Sequence, residues 1–372
     1  MINGDRIRQA REIAELTQEE LGEACGINQS HVALFEQNLR QPQDDTLRSI
    51  ALATGFPISF FKREQAPDFP LGSLLYRKRK SMSSQDRDKV RQTGRLVFEA
   101  IANMSERFKP IDLHLPRINS VEPEEAARMT RAALGFSPDT PITHLLTRLE
   151  KNGVVIVSIP YDIEDHDAFS VWADTEPRRP VIVMTSGKPG DRQRWSASHE
   201  LAHLVMHHTY TGSPSDLESQ ADRFAGEFLF PEEAARKDLG GSPITLMILA
   251  DLKSRWGIAI SALVMRAFNL GIITDGQRRY LFRQLAAKDW QRNEPVPIPD
   301  EKPRLLRKLA ESIYGPNFET KDVADPLGIP SQMLKPIIAS YASPADLQGT
   351  ARTNPPKEKA RGGLVTMLPR RP

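Results

Sequence analysis

Only three segments of this chain read as strands, and all three fall between residues 154 and 184. Val154-Val155-Ile156-Val157-Ser158-Ile159 is a β-branched run of the kind that is buried on both faces. Residues 168–173 supply a second strand and Val181-Ile182-Val183-Met184 a third. On either side the apolar residues recur with a helical period. One small sheet inside a long helical chain leaves few architectures, and the fold class expected is α+β with the sheet confined to the middle. At 372 residues the chain is longer than one ordinary domain, so two or three folded units are expected.

Prolines mark the joints between them. Residues 1–66 carry a helical pattern with short turns, which ends at Ala66-Pro67-Asp68-Phe69-Pro70. Residues 67–117 form a basic linker and a long helix. Eight Lys or Arg against Asp86 and Asp88 lie between Arg77 and Arg95, a local charge of +6 that includes the run Arg77-Lys78-Arg79-Lys80. Within 85–108, Val90, Leu96, Val97, Ile101, Met104 and Phe108 share one side of a helix that is expected to pack between two domains. Residues 118–240 mix helix and strand, with a helix opening at Pro123 after Ser120 or Glu122 and another over 142–152 that stops at Gly153. Residues 241–299 extend this region by helices at 245–256, 261–270 and 274–290, up to the break Glu294-Pro295-Val296-Pro297-Ile298-Pro299. A small helical unit over 300–342, with helices at 304–314 and 331–341, precedes a disordered basic tail at 343–372.

Charge and cysteine content narrow the function. Fifty basic against 48 acidic residues give a net charge of +2, so attraction to nucleic acid has to come from local patches. The single Cys25 excludes an intramolecular disulfide and a cysteine-built zinc cage, and reads as a structural residue of a reducing compartment. The first twenty residues contain no apolar leader, and no later stretch approaches the roughly 20 apolar residues that span a bilayer, so a cytoplasmic protein without a membrane partner is expected.

In the first region, Thr17 caps a helix with Glu20 as its capping-box partner, Gly26-Ile27 makes a turn, and Asn28 is placed to cap a second helix. Leu21, Ile27, Val32 and Phe35 supply apolar contacts that fix the two helices at an angle. Gln29, Ser30, His31 and Leu34 are left facing outward. Through "TQEELGEACGINQSHVALFEQ" and "QPQDDTLRSIALATG", residues 5–61 resemble the Xre, or lambda-repressor-like, helix-turn-helix family. The resemblance implies an all-α DNA-binding domain over 1–66 whose second helix lies in the major groove of double-stranded operator DNA. Gln29 and Ser30 become base readers with His31 and Leu34 beside them, and Gln18, Asn38 and Arg40 phosphate contacts. A homodimer follows, because one recognition helix reads too few bases. Gln37-Asn38 stands where the family often has a glycine, and asparagine tolerates the left-handed backbone that this turn needs.

The stretch "SASHELAHLVMHH" (196–208) puts His199 and His203 four residues apart on one helical face, where both can reach a single ion. Glu200 lies beside them, placed to take a proton from water. A zinc ion needs a third protein ligand, and the extended pattern that adds a third histidine fails, because the positions concerned are Met206 and Thr209. After the reversal at 211–215, Glu218 lies near the start of the next helix, and Asp222 one turn on is placed to accept a hydrogen bond from a ligand histidine. Ser215-x-x-Glu218 is equally a capping box, which needs no metal. "RWSASHELAHLVMHH", "LESQADRFAGEFLFP" and "LKSRWGIAISALVMRAFNLGIIT" make residues 118–292 similar to the ImmA/IrrE metallopeptidases. The resemblance implies a zincin-like domain with His199, His203 and Glu218 as ligands of Zn2+, or another divalent metal such as Mn2+, and Glu200 as general base. Ala202 replaces a frequent glycine. Asp222 and His207 are expected to support the ligands. Peptidases of this family cut Xre-type repressors in phage, mobile-element or stress-response control, which implies that this chain cleaves a repressor-type protein or itself. The alternative is a regulator or antitoxin whose peptidase-like domain only senses a signal.

Overall fold

The computed structural model describes residues 1–64, 67–69, 83–119, 121–161, 167–208, 213–241, 243–343 and 346. The architecture is α+β, as expected. The first unit comprises α1 (Gly4–Ile13), α2 (Gln18–Cys25), α3 (Gln29–Glu36), α4 (Asp44–Thr54) and a 3-10 turn at Phe60–Lys62. The Thr17–Glu20 capping box is formed, and Gly26 closes α2 at φ +66°. Gly22 is small for a reason, since a Cβ there would stand 2.8 Å from the Ile27 carbonyl oxygen in the turn. Asn28 is the N-cap residue of α3 but makes no side-chain cap bond, so the cap expected of it is absent. Asn38 adopts φ +60°, and its carboxamide oxygen accepts from the Gly4 N–H at 2.7 Å.

Helix α5 (Ser84–Ser105) runs through the middle of the molecule. Besides the expected stripe of Val90, Leu96, Val97, Ile101 and Met104, it buries Gln92, Thr93, Gly94, Arg95, Phe98, Glu99 and Ala100. Between Gln92 and Ile101 it is therefore sealed all round rather than amphipathic, with α1 against one side and β1 (Val155–Ile159) and α14 (Leu305–Tyr314) against others, while residues 84–87 and Asn103 stay exposed. Phe108 lies beyond its end and is 40% exposed, so it does not continue the stripe. Buried charges tie α5 to the first unit: Glu99 accepts from Arg6 at 2.6 and 2.8 Å and from Arg63 at 2.5 Å, and Arg95 reaches Asp5 at 3.0 Å.

The second region opens with α6 (Pro123–Ala133) and α7 (Leu145–Lys151), which lead into β1. With β2 (Ala168–Ala173) and β3 (Arg179–Thr185), β1 forms a sheet of order β1-β3-β2, in which β1 and β3 are parallel and β2 antiparallel to β3. Odd-numbered residues (Val155, Val157, Phe169, Val171, Val181, Val183) face the core around α5, and even-numbered ones (Ile156, Ala168, Ile182, Met184) face the opposite core around α8 (Gly190–Met206). Strand alternation thus divides the molecule into two cores. Gly94 lets α5 approach the sheet, since its Cβ would meet Val183 Cγ2 at 3.1 Å.

Helices α9 (Pro214–Leu229), α10 (Glu232–Leu239), α11 (Leu246–Trp256), α12 (Ile260–Asn269) and α13 (Asp275–Ala287) enclose the α8 core. Residues expected to form a separate small unit at 300–342 instead share the α5 core with the N-terminal helices, through Leu306, Ala310, Val323, Leu334 and Ile337. Here α15 (Thr320–Leu327) and α16 (Ser331–Ala339) follow α14. The Tyr341 hydroxyl accepts from Ser158 N–H and donates to the Ile156 carbonyl, stitching this region to β1. The basic run at 77–80 and nearly all of the tail after 343 lie outside the described residues. No helix among the described residues is long and apolar enough to cross a membrane.

Candidate metal centre and recognition helix

Helix α8 is buried over nearly its whole length, with His199, His203 and His207 on successive turns of one face. Helix α9 packs along it. Its N-cap is Ser213, whose hydroxyl accepts from Asp216 N–H, with Pro214 in the first turn. The Ser215–Glu218 capping box is therefore not the cap that forms, and Glu218 lies deeper in the helix. Its carboxylate meets both imidazoles: Oε2 is 3.4 Å from His199 Nε2 and Oε1 is 3.4 Å from His203 Nε2, and the two Nε2 atoms stand 3.2 Å apart. Ligands about 2.0–2.1 Å from a tetrahedral ion stand about 3.3–3.4 Å from one another. The donor set fits such an ion with the fourth position left for water or substrate.

Each histidine is oriented from behind. His199 Nδ1 donates to Asp222 Oδ1 at 2.9 Å, which leaves the Nε2 lone pair facing the cluster. His203 Nδ1 stands 2.8 Å from His207 Nδ1, and His207 Nε2 stands 3.2 Å from the Gln220 carboxamide oxygen. Gln220 can only accept through that oxygen, so His207 carries its proton on Nε2 and accepts from His203 Nδ1–H. The chain Gln220–His207–His203 thereby turns the second Nε2 lone pair to the cluster as well. Burial, and then the neighbouring His203, hold the His207 imidazole down to about 4, so it is neutral at ordinary pH.

Glu200 is fully buried and accepts from the Ser170 hydroxyl at 2.8 Å. Ser170 and Gln220 are the residues that sequence reasoning missed. Ser170 had a signal: it is the polar member of the even-numbered, α8-facing set on β2, between Ala168 and Trp172, and Trp172 Nε1 donates to the Leu204 carbonyl on the same helix. His208 is half-buried away from the cluster's pairings, and Thr209 to Gly212 lie outside the described residues. Beside Glu218 and Asp222 opens a cleft of about 1250 Å3, whose lining includes Arg192, Trp195, Met265, Phe282, Val296 and Ile298. Several charges along it are held in pairs, Arg223 with Glu122 and Glu124, and Lys253 with Asp191 and Glu294.

On the first unit, Gln29 and Ser30 are exposed, while His31 and Leu34 are half-buried. Gln29 Nε2 donates to Gln18 Oε1 at 2.7 Å, and Gln18 Nε2 to the buried Glu36 at 2.7 Å, so both glutamines are held in place. Arg40 is exposed and its guanidinium stands 3.0 Å from His31 Nε2. The start of α5 comes close, for Ser84, Gln85 and Asp88 share a cavity of about 580 Å3 with Gln18 and Gln29. Residues 1–64 hold seven Lys or Arg against ten Asp or Glu, and Arg6, Arg11 and Arg63 are turned inward to Glu99 and Glu36. Few cations are left on this unit for phosphates.

Comparison with known proteins agrees with this division. The helix-turn-helix family profile matches residues 7–61, and the profile described as an IrrE N-terminal-like domain matches residues 149–268, from the end of α7 through most of α12. No curated protein matches the chain. One chain therefore joins an Xre-like helix-turn-helix region to an IrrE N-terminal-like, metallopeptidase-type region, the fusion that its motifs imply.

Proposed function

We propose that this chain is a cytoplasmic DNA-binding regulator with a working zinc-dependent endopeptidase site, which cleaves a repressor-type protein or itself to switch gene expression in a phage, mobile-element or stress response. The observation that carries the reading is the convergence of His199, His203 and Glu218, whose two Nε2 atoms stand 3.2 Å apart and each 3.4 Å from one of the two Glu218 carboxylate oxygens, with Asp222 and His207 behind the two histidines. His199, His203 and Glu218 would hold the ion. A zinc ion in such a setting supplies Lewis acidity toward water and toward a carbonyl oxygen. Glu200 takes the proton from water and delivers it to the departing amine. Ser170 keeps one Glu200 oxygen bonded, which fixes the rotamer of a buried carboxylate. The cleft beside Glu218 accommodates an extended peptide, with Trp195, Met265 and Phe282 against its apolar side chains.

In the same reading Gln29 and Ser30 read base edges, with His31 and Leu34 beside them, and Gln18, Asn38 and Arg40 hold phosphates in a homodimer on operator DNA. The test pairs the two activities. Wild type and Glu200→Gln are incubated with zinc and a candidate Xre-type repressor, and operator binding is followed in parallel. Cleavage by wild type alone, with operator binding kept in both, is the expected result. Operator binding by both without Glu200-dependent cleavage would leave a regulator that only senses.

A further inference from the structure

We propose that the cavity between α7 and the start of α14 binds a small organic phosphate, whose phosphoryl group is held by Arg148, Lys151 and Arg304. The site is separate from the metal centre and needs no peptidase activity. Its volume is about 510 Å3, within the roughly 300–1,000 Å3 that small-molecule sites occupy. Helix α7 buries Leu145, Leu146 and Leu149 in the α8 core. The helical period therefore turns Thr147, Arg148 and Lys151 the other way, onto one face that continues back to His144. Arg304 joins them from the far end of the chain, and its place is set from within: the fully buried Glu150 accepts from Arg304 N–H at 3.0 and 3.1 Å and from Leu305 N–H at 3.0 Å. That carboxylate is occupied by backbone donors, and Arg304 lines the cavity. Arg148 is placed in advance as well, since Nη2 donates to the Gly135 carbonyl at 3.1 Å and the guanidinium lies 4.5 Å from the centre of the Phe136 ring.

The charge of this cavity has one sign. Its lining contains His144, Arg148, Lys151 and Arg304 and no carboxylate. Among the described residues none of these four is ion-paired. The chain as a whole is balanced, with 50 basic and 48 acidic residues, and the cavities described above both contain acids: Glu218 and Asp222 in the cleft, and Glu12, Glu15, Glu19 and Asp88 beside Gln18. Like charges gathered on a concave wall repel one another and focus a positive potential, which a bound anion relieves.

The donor set selects the anion. Two guanidinium forks match the paired oxygens of a phosphoryl group, a lysine adds a point charge, and Thr143 and Thr147 bring hydroxyl donors to the same wall. A carboxylate brings one charge to this cluster, whereas a phosphate monoester brings about −1.5 to −2 near neutral pH. The volume left beyond the phosphoryl group, with Leu134 on its wall, takes the organic part. Because α7 belongs to the α8 core while Leu306 and Ala310 of α14 belong to the α5 core, the ligand would tie the metal-bearing half of the molecule to the half against which α1 packs. The joint between the two cores is thereby responsive to a small phosphorylated signal.

The experiment titrates the full chain, kept free of added metal, with inorganic phosphate, with AMP as a soluble phosphate monoester, and with a single-stranded oligonucleotide lacking a terminal phosphate, all by calorimetry at constant ionic strength. Wild type is compared with Arg304→Gln, with Lys151→Gln at an exposed position, and with Lys237→Gln, which removes an exposed cation of α10 instead. Saturable one-to-one binding of AMP, displaced by inorganic phosphate, is the expected result. Its affinity should fall about tenfold or more in Arg304→Gln and in Lys151→Gln and stay unchanged in Lys237→Gln. Lys151→Gln decides the matter alone if Arg304→Gln does not fold. Absence of saturable binding by both phosphate and AMP overturns the inference, as does equal weakening in Lys237→Gln, which would reduce the effect to net charge. Binding of the oligonucleotide alone would assign these cations to a nucleic-acid backbone and overturn it too. None of these outcomes touches the zinc or cleavage measurements, so this inference and the peptidase reading stand or fall separately.

Discussion

Removing Asp222 tests how the cluster is organised without touching a ligand atom. Its carboxylate holds His199 Nδ1–H at 2.9 Å and so presents the other nitrogen to the ion. Groups that orient metal-bound histidines contribute about 10- to 100-fold in metal affinity, which is about 1.4 to 2.7 kcal/mol. The Asp222 side chain is 60% exposed, so water screens it and replaces part of its hydrogen bond, and Asp222→Ala is expected at the lower end, about tenfold weaker for zinc. His207 is only 6% exposed, so no solvent stands in for it, and His207→Ala is expected near 100-fold. Asp216→Ala, which removes a cap partner of α9 away from the histidines, serves as a control with unchanged affinity. Competition against a chromogenic chelator measures all three. If Asp222→Ala and His207→Ala stay folded and bind zinc as tightly as wild type, the account of how the two imidazoles are turned is wrong.

Other expectations follow from the same contacts. Glu150 is fully buried at the N-terminus of α14, accepting from Arg304 and Leu305 N–H, and burial pushes its carboxyl up to about 7 despite those bonds. A carboxyl raised in the folded state stays protonated there between pH 4.5 and 7 while the unfolded chain ionises, so stability falls as pH rises through that window, by up to on the order of 3 kcal/mol. Denaturant titrations should show that fall in wild type and a flatter profile in Glu150→Gln; equal profiles would contradict the assignment. Gly94→Leu should overpack α5 against Val183 and cost about 1–3 kcal/mol, read as a lower denaturation midpoint at an unchanged slope. For DNA, Gln29→Ala with Ser30→Ala should change sequence preference, whereas Arg40→Ala should weaken all sequences and reduce the salt slope by about 0.9 per site. An unchanged preference would rule out these base readers.

What could be read from sequence was what local chemistry decides. The Thr17–Glu20 box, the strand at 168–173 and the left-handed Asn38 each follow from a few neighbouring residues, and each stands in the structure. Contacts distant in the chain were less legible. Phe108 fits the periodicity of α5 but falls past its last turn, where the ring is left 40% exposed. Pro326 disguised α15, yet a proline in the final turn of an eight-residue helix removes little of its bonding. The burial of α5 on every side depends on α14 arriving from more than 200 residues away, and no pattern within 84–105 records that. At the candidate centre, the sequence offered Glu218 both as a cap and as a metal-facing carboxylate. The cap went to Ser213, because Pro214 starts the helix two residues earlier than the Ser215 box requires.

The central claim is that His199, His203 and Glu218 hold one metal ion for chemistry that Glu200 performs. Zinc content per chain, measured by mass spectrometry on purified wild type, Glu218→Ala and Glu200→Gln after dialysis against trace zinc, separates those roles most directly. One equivalent in wild type and in Glu200→Gln, with the ion lost from Glu218→Ala, is the predicted result. Zinc retained in full by Glu218→Ala, with that variant folded as wild type, would contradict it.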